Sequence, residues 1–216
     1  MHATLADVIA DTAQNSIEAG ASRVTVDLVE DGRTISVVIA DNGKGMDAAT
    51  QRRAFDPFYT EAGKHDRRKV GLGLPILKQI CEACEGGCSL ESAPGVGTTL
   101  KYHFNAANID LPPMGDIAEM VTTLFNYPGD FELVFTHRRG GESYTVARSE
   151  LADAVGGLES VDGLSLAQEY LRSQEDALCA CRGRRSLNVC AMVLTSAPPA
   201  SFGQTSAWSV RLGQWW

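Results

Sequence analysis

Three polar side chains recur four apart near the start of the chain, Asp7, Asp11 and Asn15, and on a helix that spacing projects all three from one face. A neutral amide beside a carboxylate suits Mg2+, whose octahedral shell prefers oxygen ligands and keeps several waters. Asn15 is the candidate metal ligand. Asp11, one turn earlier, is the candidate catalytic residue, since a carboxylate there can take a proton from a water aimed at a terminal phosphate. Any solvated helix face shows polar residues at this spacing, so these three carry weight only in company.

Company comes from two glycine-rich segments. Asp41-Asn42-Gly43-Lys44-Gly45-Met46 follows an apolar run, Val37 to Ala40. A carboxylate at such a strand end can accept the amino hydrogens of adenine, and the glycines let the backbone pass close to the ring. In isolation the same segment is simply a turn. Gly71-Leu72-Gly73-Leu74-Pro75 precedes a helical pattern, where free backbone N–H groups and the helix dipole favour a phosphate. The segment lacks the third glycine of the dinucleotide fingerprint, and the chain nowhere contains a P-loop, so those two nucleotide folds are disfavoured.

These residues must be positioned by elements that the apolar periodicity outlines. Leu5, Val8, Ile9, Ala13 and Ile17 predict an amphipathic helix over residues 5–19, stopped by Gly20. Strands over 23–29 and 34–40 flank an Asp31-Gly32 hairpin signal. A short helix over 48–54, a charged loop over 56–70, a helix that begins after Leu74 with Pro75 in its first turn and runs to about Glu85, and a second hairpin over 89–92 and 98–104 complete the first half. Pro112-Pro113 suggests a boundary. Beyond it we read a helix over 116–126, a hairpin over 131–146 turning at Gly140-Gly141, and helices over 149–155 and 164–177. The expected organisation is a domain over residues 1–108, a small α+β unit over 114–177 suited to partner docking, and a poorly ordered tail over 178–216.

In order, the chain reads Asp11-x3-Asn15, Asp41-x-Gly43-x-Gly45, Phe55-Asp56-Pro57-Phe58-Tyr59, Gly71-x-Gly73-Leu74 and Gly95-x-Gly97-Thr98-Thr99. The series resembles the N, G1, F, G2 and terminal Gly-Thr boxes of the histidine-kinase-like (GHKL) ATPase superfamily over residues 4–105. The resemblance implies an α+β fold, a two-layer α/β sandwich of the Bergerat type with a mixed sheet carrying helices on one face, and ATP held under a lid. It implies that Asn15 coordinates Mg2+, that Asp41 reads adenine, and that Gly43 and Gly45 shape its pocket. Gly71, Gly73 and Leu74 would line the phosphates, and Thr98 would support the adenine site through the Asp41 water network. Met46, Phe55 and Phe58 join the ATP-binding set as members of the matched boxes. The lid would be residues 59–70, in which Lys64 and Arg68, with His65, Arg67 and Lys69, offer cations to the triphosphate.

Departures from the pattern shape the functional expectation. Histidine kinases carry a phosphoacceptor histidine on a helical hairpin before this domain, whereas here the first box begins a few residues after Met1. The expectation is therefore not a complete sensor kinase. His2, His65, His103 and His137 all lie outside any such helix, which disfavours autophosphorylation in cis. The position of Asp11 is usually an amide in histidine kinases and a carboxylate in hydrolysing or serine-phosphorylating relatives, where it is normally the longer Glu. Residues 14–21 look nearest to mismatch-repair ATPases. The expected activity is that of an Mg2+-ATP-binding regulatory protein acting as a protein kinase in trans or a slow ATPase; the alternative is a nucleotide-gated interaction module that binds ATP without turnover. Its partners would be ATP and an unidentified protein partner or phosphoacceptor, with a homodimer left open.

Composition agrees with a soluble, cytoplasmic setting. A formal charge of −8 is the wrong sign for covering a phosphate backbone, so nucleic acid is not an expected partner. No apolar run approaches the roughly 18 residues that span a bilayer, and Asp7 and Asp11 interrupt the place of a signal peptide. Six cysteines include Cys81-x2-Cys84 and Cys88, with Cys179, Cys181 and Cys190 later. The spacing would allow zinc or an iron–sulfur cluster, but small buried residues on a helix explain Cys81 and Cys84 more simply, and free thiols are the expectation.

Overall fold

Thr4 and Asp7 fix where the first helix starts: the Thr4 hydroxyl accepts the Asp7 N–H at 3.1 Å and the Asp7 carboxylate accepts the Thr4 N–H at 3.0 Å, a reciprocal cap. Of the three polar residues spaced four apart on α1 (Leu5–Glu18), Asp7 thus has a structural task. The stripe Leu5, Val8, Ile9, Ala13 and Ile17 is buried, as its spacing predicts. The computed structural model describes residues 4–56 and 73–180.

After α1 come β1 (Arg23–Asp31), β2 (Thr34–Asp41), α2 (Ala48–Arg53), α3 (Gly73–Ala83), β3 (Gly87–Ala93), β4 (Gly97–Asn105), α4 (Ile117–Phe125), β5 (Glu132–Arg139), β6 (Glu142–Ala147), α5 (Arg148–Val155) and α6 (Val161–Ala180). The strands make one six-stranded sheet in the order β3-β4-β2-β1-β5-β6. It is mixed, because β1 pairs with β5 in parallel and every other pairing is antiparallel. Side chains alternate along a strand, and the register aligns the buried set across four strands: Val26 stands opposite Ile39 on one side and Phe135 on the other, and Ile39 opposite Leu100. Val24, Leu28, Val37, Tyr102, Phe104 and Leu133 share that buried face. Helices α1, α3 and α6 pack on the sheet, with α4 between α1 and α6. The reverse face shows Thr25, Asp27, Ser36, Lys101, His103 and Thr136, all half-buried or exposed. This is the α+β, two-layer arrangement that the sequence implied.

Residues 114–177 correct one expectation. Rather than forming a separate small unit, they extend the sheet through β5 and β6 and share its core. The double proline does interrupt regular structure, yet the segment is stitched to the start of α1: the Leu5 N–H donates to the Pro113 carbonyl at 2.9 Å and the Ala6 N–H to the Met114 carbonyl at 2.8 Å. Helix N-termini carry N–H groups without intrahelical acceptors, and here the linker supplies the carbonyls. The physical reason for the merger lies in β1, whose second edge β5 covers along its length. Within the segment, Arg148 ties the start of α5 to the end of α4 and the approach to β5, donating to the Phe125 and Phe131 carbonyls at 2.7 and 2.9 Å. Helix α6 runs to Ala180, so the boundary set at residue 178 falls inside it; residues 181–216, including Cys181 and Cys190, lie outside the described residues.

A shared core makes a sharp prediction. Phe135→Ala removes a fully buried ring from β5 and should cost about 3–5 kcal/mol. Denaturant unfolding followed by circular dichroism should show one cooperative transition displaced as a whole; an independent 114–177 unit would give two transitions, with only one displaced.

Candidate functional site

Asp41 ends β2 in the middle of the sheet, paired with Val24 at the start of β1 and with Thr98 at the start of β4. Its carboxylate is held from three segments. Oδ1 accepts the N–H of Gly43 at 2.9 Å and of Thr98 at 3.2 Å, and Oδ2 accepts the Ser16 hydroxyl at 2.7 Å. A carboxylate offers about four acceptor directions, so among the described residues one remains, on the oxygen that Ser16 shares.

The loop over residues 42–47 is strapped to the β3–β4 turn. Gly95 N–H donates to the Lys44 carbonyl at 2.8 Å, and Met46 N–H to the Ser92 hydroxyl at 2.8 Å. Ser92 Oγ in turn donates to the Gly97 carbonyl at 2.9 Å and stands 2.9 Å from Thr98 Oγ1. From α2, the Gln51 amide donates to the Ser92 and Met46 carbonyls at 2.6 and 3.1 Å. Two glycines make the strapping possible. Gly45 (φ +64°) and Gly97 (φ +126°) adopt backbone that L residues rarely accept, and a Cβ on either would run into a carbonyl oxygen, of Ala93 and of Asp41 respectively.

The third element sits against α1. A Cβ on Gly73, at the start of α3, would collide with the Asp11 carboxylate and come within 3.6 Å of the Asn15 carboxamide nitrogen. Asp11, Asn15 and the positive end of the α3 dipole are therefore adjacent, and Asn15 is followed in sequence by the Ser16 that holds Asp41. One helix thus links the two halves of the site.

Of the residues that the sequence singles out, Asp41, Gly43, Gly45, Met46 and Thr98 come together, as do Asp11, Asn15 and Gly73. Leu74 packs against the core, and Phe55 is half-buried just after α2. Phe58, Lys64, Arg68 and Gly71 lie outside the described residues, with the expected lid. Ser16, Ser92 and Gln51 carry no motif that would single them out. Register was the available signal for Ser92, which pairs with Thr98 across the second hairpin.

The cysteines make a different environment. Cys81 and Cys84 are buried, and burial, with Cys88 close by, pushes the Cys81 thiol up to about 12. Burial raises Cys84 and Cys88 as well. Metal ligation and nucleophilic attack both need thiolate. Among the described residues no group of three or more His, Cys, Asp or Glu side chains is placed to hold a metal ion.

The fold is a Bergerat-type sandwich, with the candidate site at one end of its mixed sheet. Comparison with known proteins carries the assignment further: residues 2–108, just under half of the chain, match the family described as histidine kinase-, DNA gyrase B-, and HSP90-like ATPase, and that segment is a domain of this kind. Relatives include the heme sensor protein HssS of Staphylococcus saprophyticus, 36% identical over 104 residues, which make up 48% of this chain and 22% of that protein. The sensor histidine kinase YxdK of Bacillus subtilis is 32% identical over 76 residues, 35% of this chain and 23% of that protein. The chain thus spans less than a quarter of the length of either. Among solved structures, the N-terminal domain of a DNA repair protein superposes with a TM-score of 0.51 at 16% identity, covering 74% of this chain and 58% of that one. That likeness concerns the fold alone, and it covers more of the chain than the family segment does.

Ser16→Ala removes one of three donors to Asp41. A hydrogen bond to a charged group contributes about 1.5–3 kcal/mol, so thermal unfolding should show a moderate loss. Gly97→Ala, which meets both strain and a backbone collision, should lose more; equal midpoints for the two variants would contradict the geometry.

Proposed function

We propose that the cleft binds Mg2+-ATP and that the chain acts as an ATP-dependent protein kinase in trans, or as a slow ATPase, in a signalling system. The observation that carries the reading is the Asp41 carboxylate, fixed by Ser16, Gly43 and Thr98 with one acceptor direction left over. That direction suits the amino group of adenine.

The residues present fit the nucleotide. Gly45 and Gly97 let the loop after β2 and the β3–β4 turn close against each other beside Asp41, and Gly73 lets the start of α3 approach Asp11 and Asn15. In this reading the Asn15 carboxamide oxygen is a ligand for Mg2+, the α3 N-terminus faces the phosphates, and Lys64 and Arg68 add cations from the lid. Bound Mg2+-ATP supplies the phosphoryl group. Asp11 holds a proton acceptor beside the phosphate end, within reach of a water or a substrate hydroxyl. The family match of residues 2–108 supports the nucleotide, and likeness to sensor kinases supports phosphotransfer. No helix among the described residues is long and apolar enough to cross a membrane, which is compatible with a cytoplasmic setting. The partner would dock away from the cleft, on the surface formed by residues 114–177.

A second reading, ATP gating a protein surface without turnover, draws on the short reach of Asp11, one methylene less than Glu. The two readings diverge on a single set of variants. Calorimetry with magnesium and ATP should detect binding to the wild type, with affinity reduced about tenfold or more in Asp41→Asn and Asn15→Ala, each of which loses a polar contact of about 1.4 kcal/mol or more. Asp11→Asn should bind ATP normally while losing phosphate release and labelling of partner proteins by γ-labelled ATP. Absence of heat with the wild type would remove the nucleotide reading altogether, and binding without any turnover in wild type would select the gating module.

A further inference from the structure

Towards the end of the sheet away from Asp41, some four residues or roughly 13 Å along β1, a buried histidine joins three strands and a helix. His137 of β5 is 1% exposed. Its Nδ1 lies 2.8 Å from Glu175 Oε1 on α6, and its Nε2 lies 3.2 Å from Glu30 Oε1 on β1. Tyr144 of β6 donates to the same Glu175 oxygen at 2.5 Å. On the strand of His137 itself, Arg139 reaches Glu30 Oε2 at 3.3 Å and the Cys179 sulfur of α6 at 3.1 Å. The groups that face the ring are therefore Glu175 from α6, Glu30 from β1 and Tyr144 from β6, with Phe135 as its apolar neighbour.

A neutral imidazole carries one N–H and one lone pair, whereas the imidazolium carries two N–H groups. With carboxylate oxygens within hydrogen-bond distance of both ring nitrogens, the neutral ring would set its lone pair against a carboxylate. Only the protonated ring donates in both directions. We propose that His137 is a proton-operated latch that holds the C-terminal half of α6 against β1 and β5 while protonated, and releases that half-helix when the proton leaves. A groove of about 540 Å³ lined by Glu30, Arg139, Glu175 and Cys179 brings water to both carboxylates, so the proton has an exit that does not require unfolding. His137 and Glu175 lie outside the family segment, and the latch depends on no nucleotide, so its success or failure leaves the ATP reading untouched.

Burial by itself would lower the pKa of His137, but the hydrogen bonds and charges of Glu175 and Glu30 outweigh it and set the pKa above the ordinary 6.5. A group raised in the folded state gives its full stabilisation below its unfolded pKa, and that stabilisation is lost as pH rises through the folded value. The latch is thus closed at pH 6.5 and below and opens on the alkaline side. Cys81, Cys84 and Cys88, all raised by burial, add a separate alkaline loss near and above the ordinary thiol pKa of about 8.5, so the test belongs between pH 6 and 8.

In the full chain, long-range proton–nitrogen spectra should show both His137 ring nitrogens protonated at pH 6.5, with a midpoint above 6.5 that falls in Glu175→Gln. Hydrogen exchange, corrected for its intrinsic pH dependence, should rise between pH 6.5 and 8 in residues 171–180 more than in β1 or β2, and the thermal midpoint should drop by about 3 °C or more. Glu175→Gln should flatten both changes, and so should His137→Leu wherever that variant folds. A ring with one protonated nitrogen at pH 6.5, or wild type and Glu175→Gln losing protection in parallel, overturns the latch.

Discussion

The carboxylate of Asp41 is the point on which the site depends. Its three donors come from α1, from the loop after β2 and from the start of β4, segments that have no local reason to meet. A hydrogen bond to a charged acceptor is about twice as strong as a neutral one, and three of them convert a flexible strand end into a fixed acceptor. The rest of the cleft is built around that convergence. The loop 42–47 must turn back, which needs Gly45; β4 must enter the sheet beside Asp41, which needs Gly97; and α1 must present Ser16 to the sheet while Asp11 and Asn15 face α3. The order of the boxes along the chain is the sequence image of this single meeting point.

Much of the architecture was legible because local signals and global fold agree. The five apolar positions of α1 are all buried, the Asp31-Gly32 turn joins β1 to β2, and both later hairpins turn where their glycines predicted. Consistency of this kind across levels is what makes a sequence readable. Domain organisation was less legible. Pro112-Pro113 is a true local break, but whether a break separates domains depends on long-range pairing, and the pairing of β1 with β5 joins residues more than a hundred apart. No window along the chain contains that information.

The site divides along the same line. Residue types that chemistry singles out, Asp11, Asn15, Asp41 and the glycines, stand out in the sequence by type and spacing. Their supports could not. Ser16, Ser92 and Gln51 are common polar residues whose importance lies in where their hydrogen bonds end, and a serine at a strand end carries no mark of its three partners. His137 is the extreme case: in sequence it is an ordinary strand position with alternating neighbours, and only the arrival of Glu30 from one strand and Glu175 from a helix makes it a charged group enclosed by the fold.

The parallel pairing of β1 with β5 also bears on how the chain can be divided. The family match is confined to residues 2–108, yet a fragment cut there would leave β1 with a bare row of peptide donors and acceptors along the eight residues that β5 covers, flanked by uncovered apolar surface from α1. Unpaired strand edges recruit other strands. In this protein the portion that carries the family signature therefore leaves out the strand that covers β1, and β5, β6 and α6 complete the core that it begins.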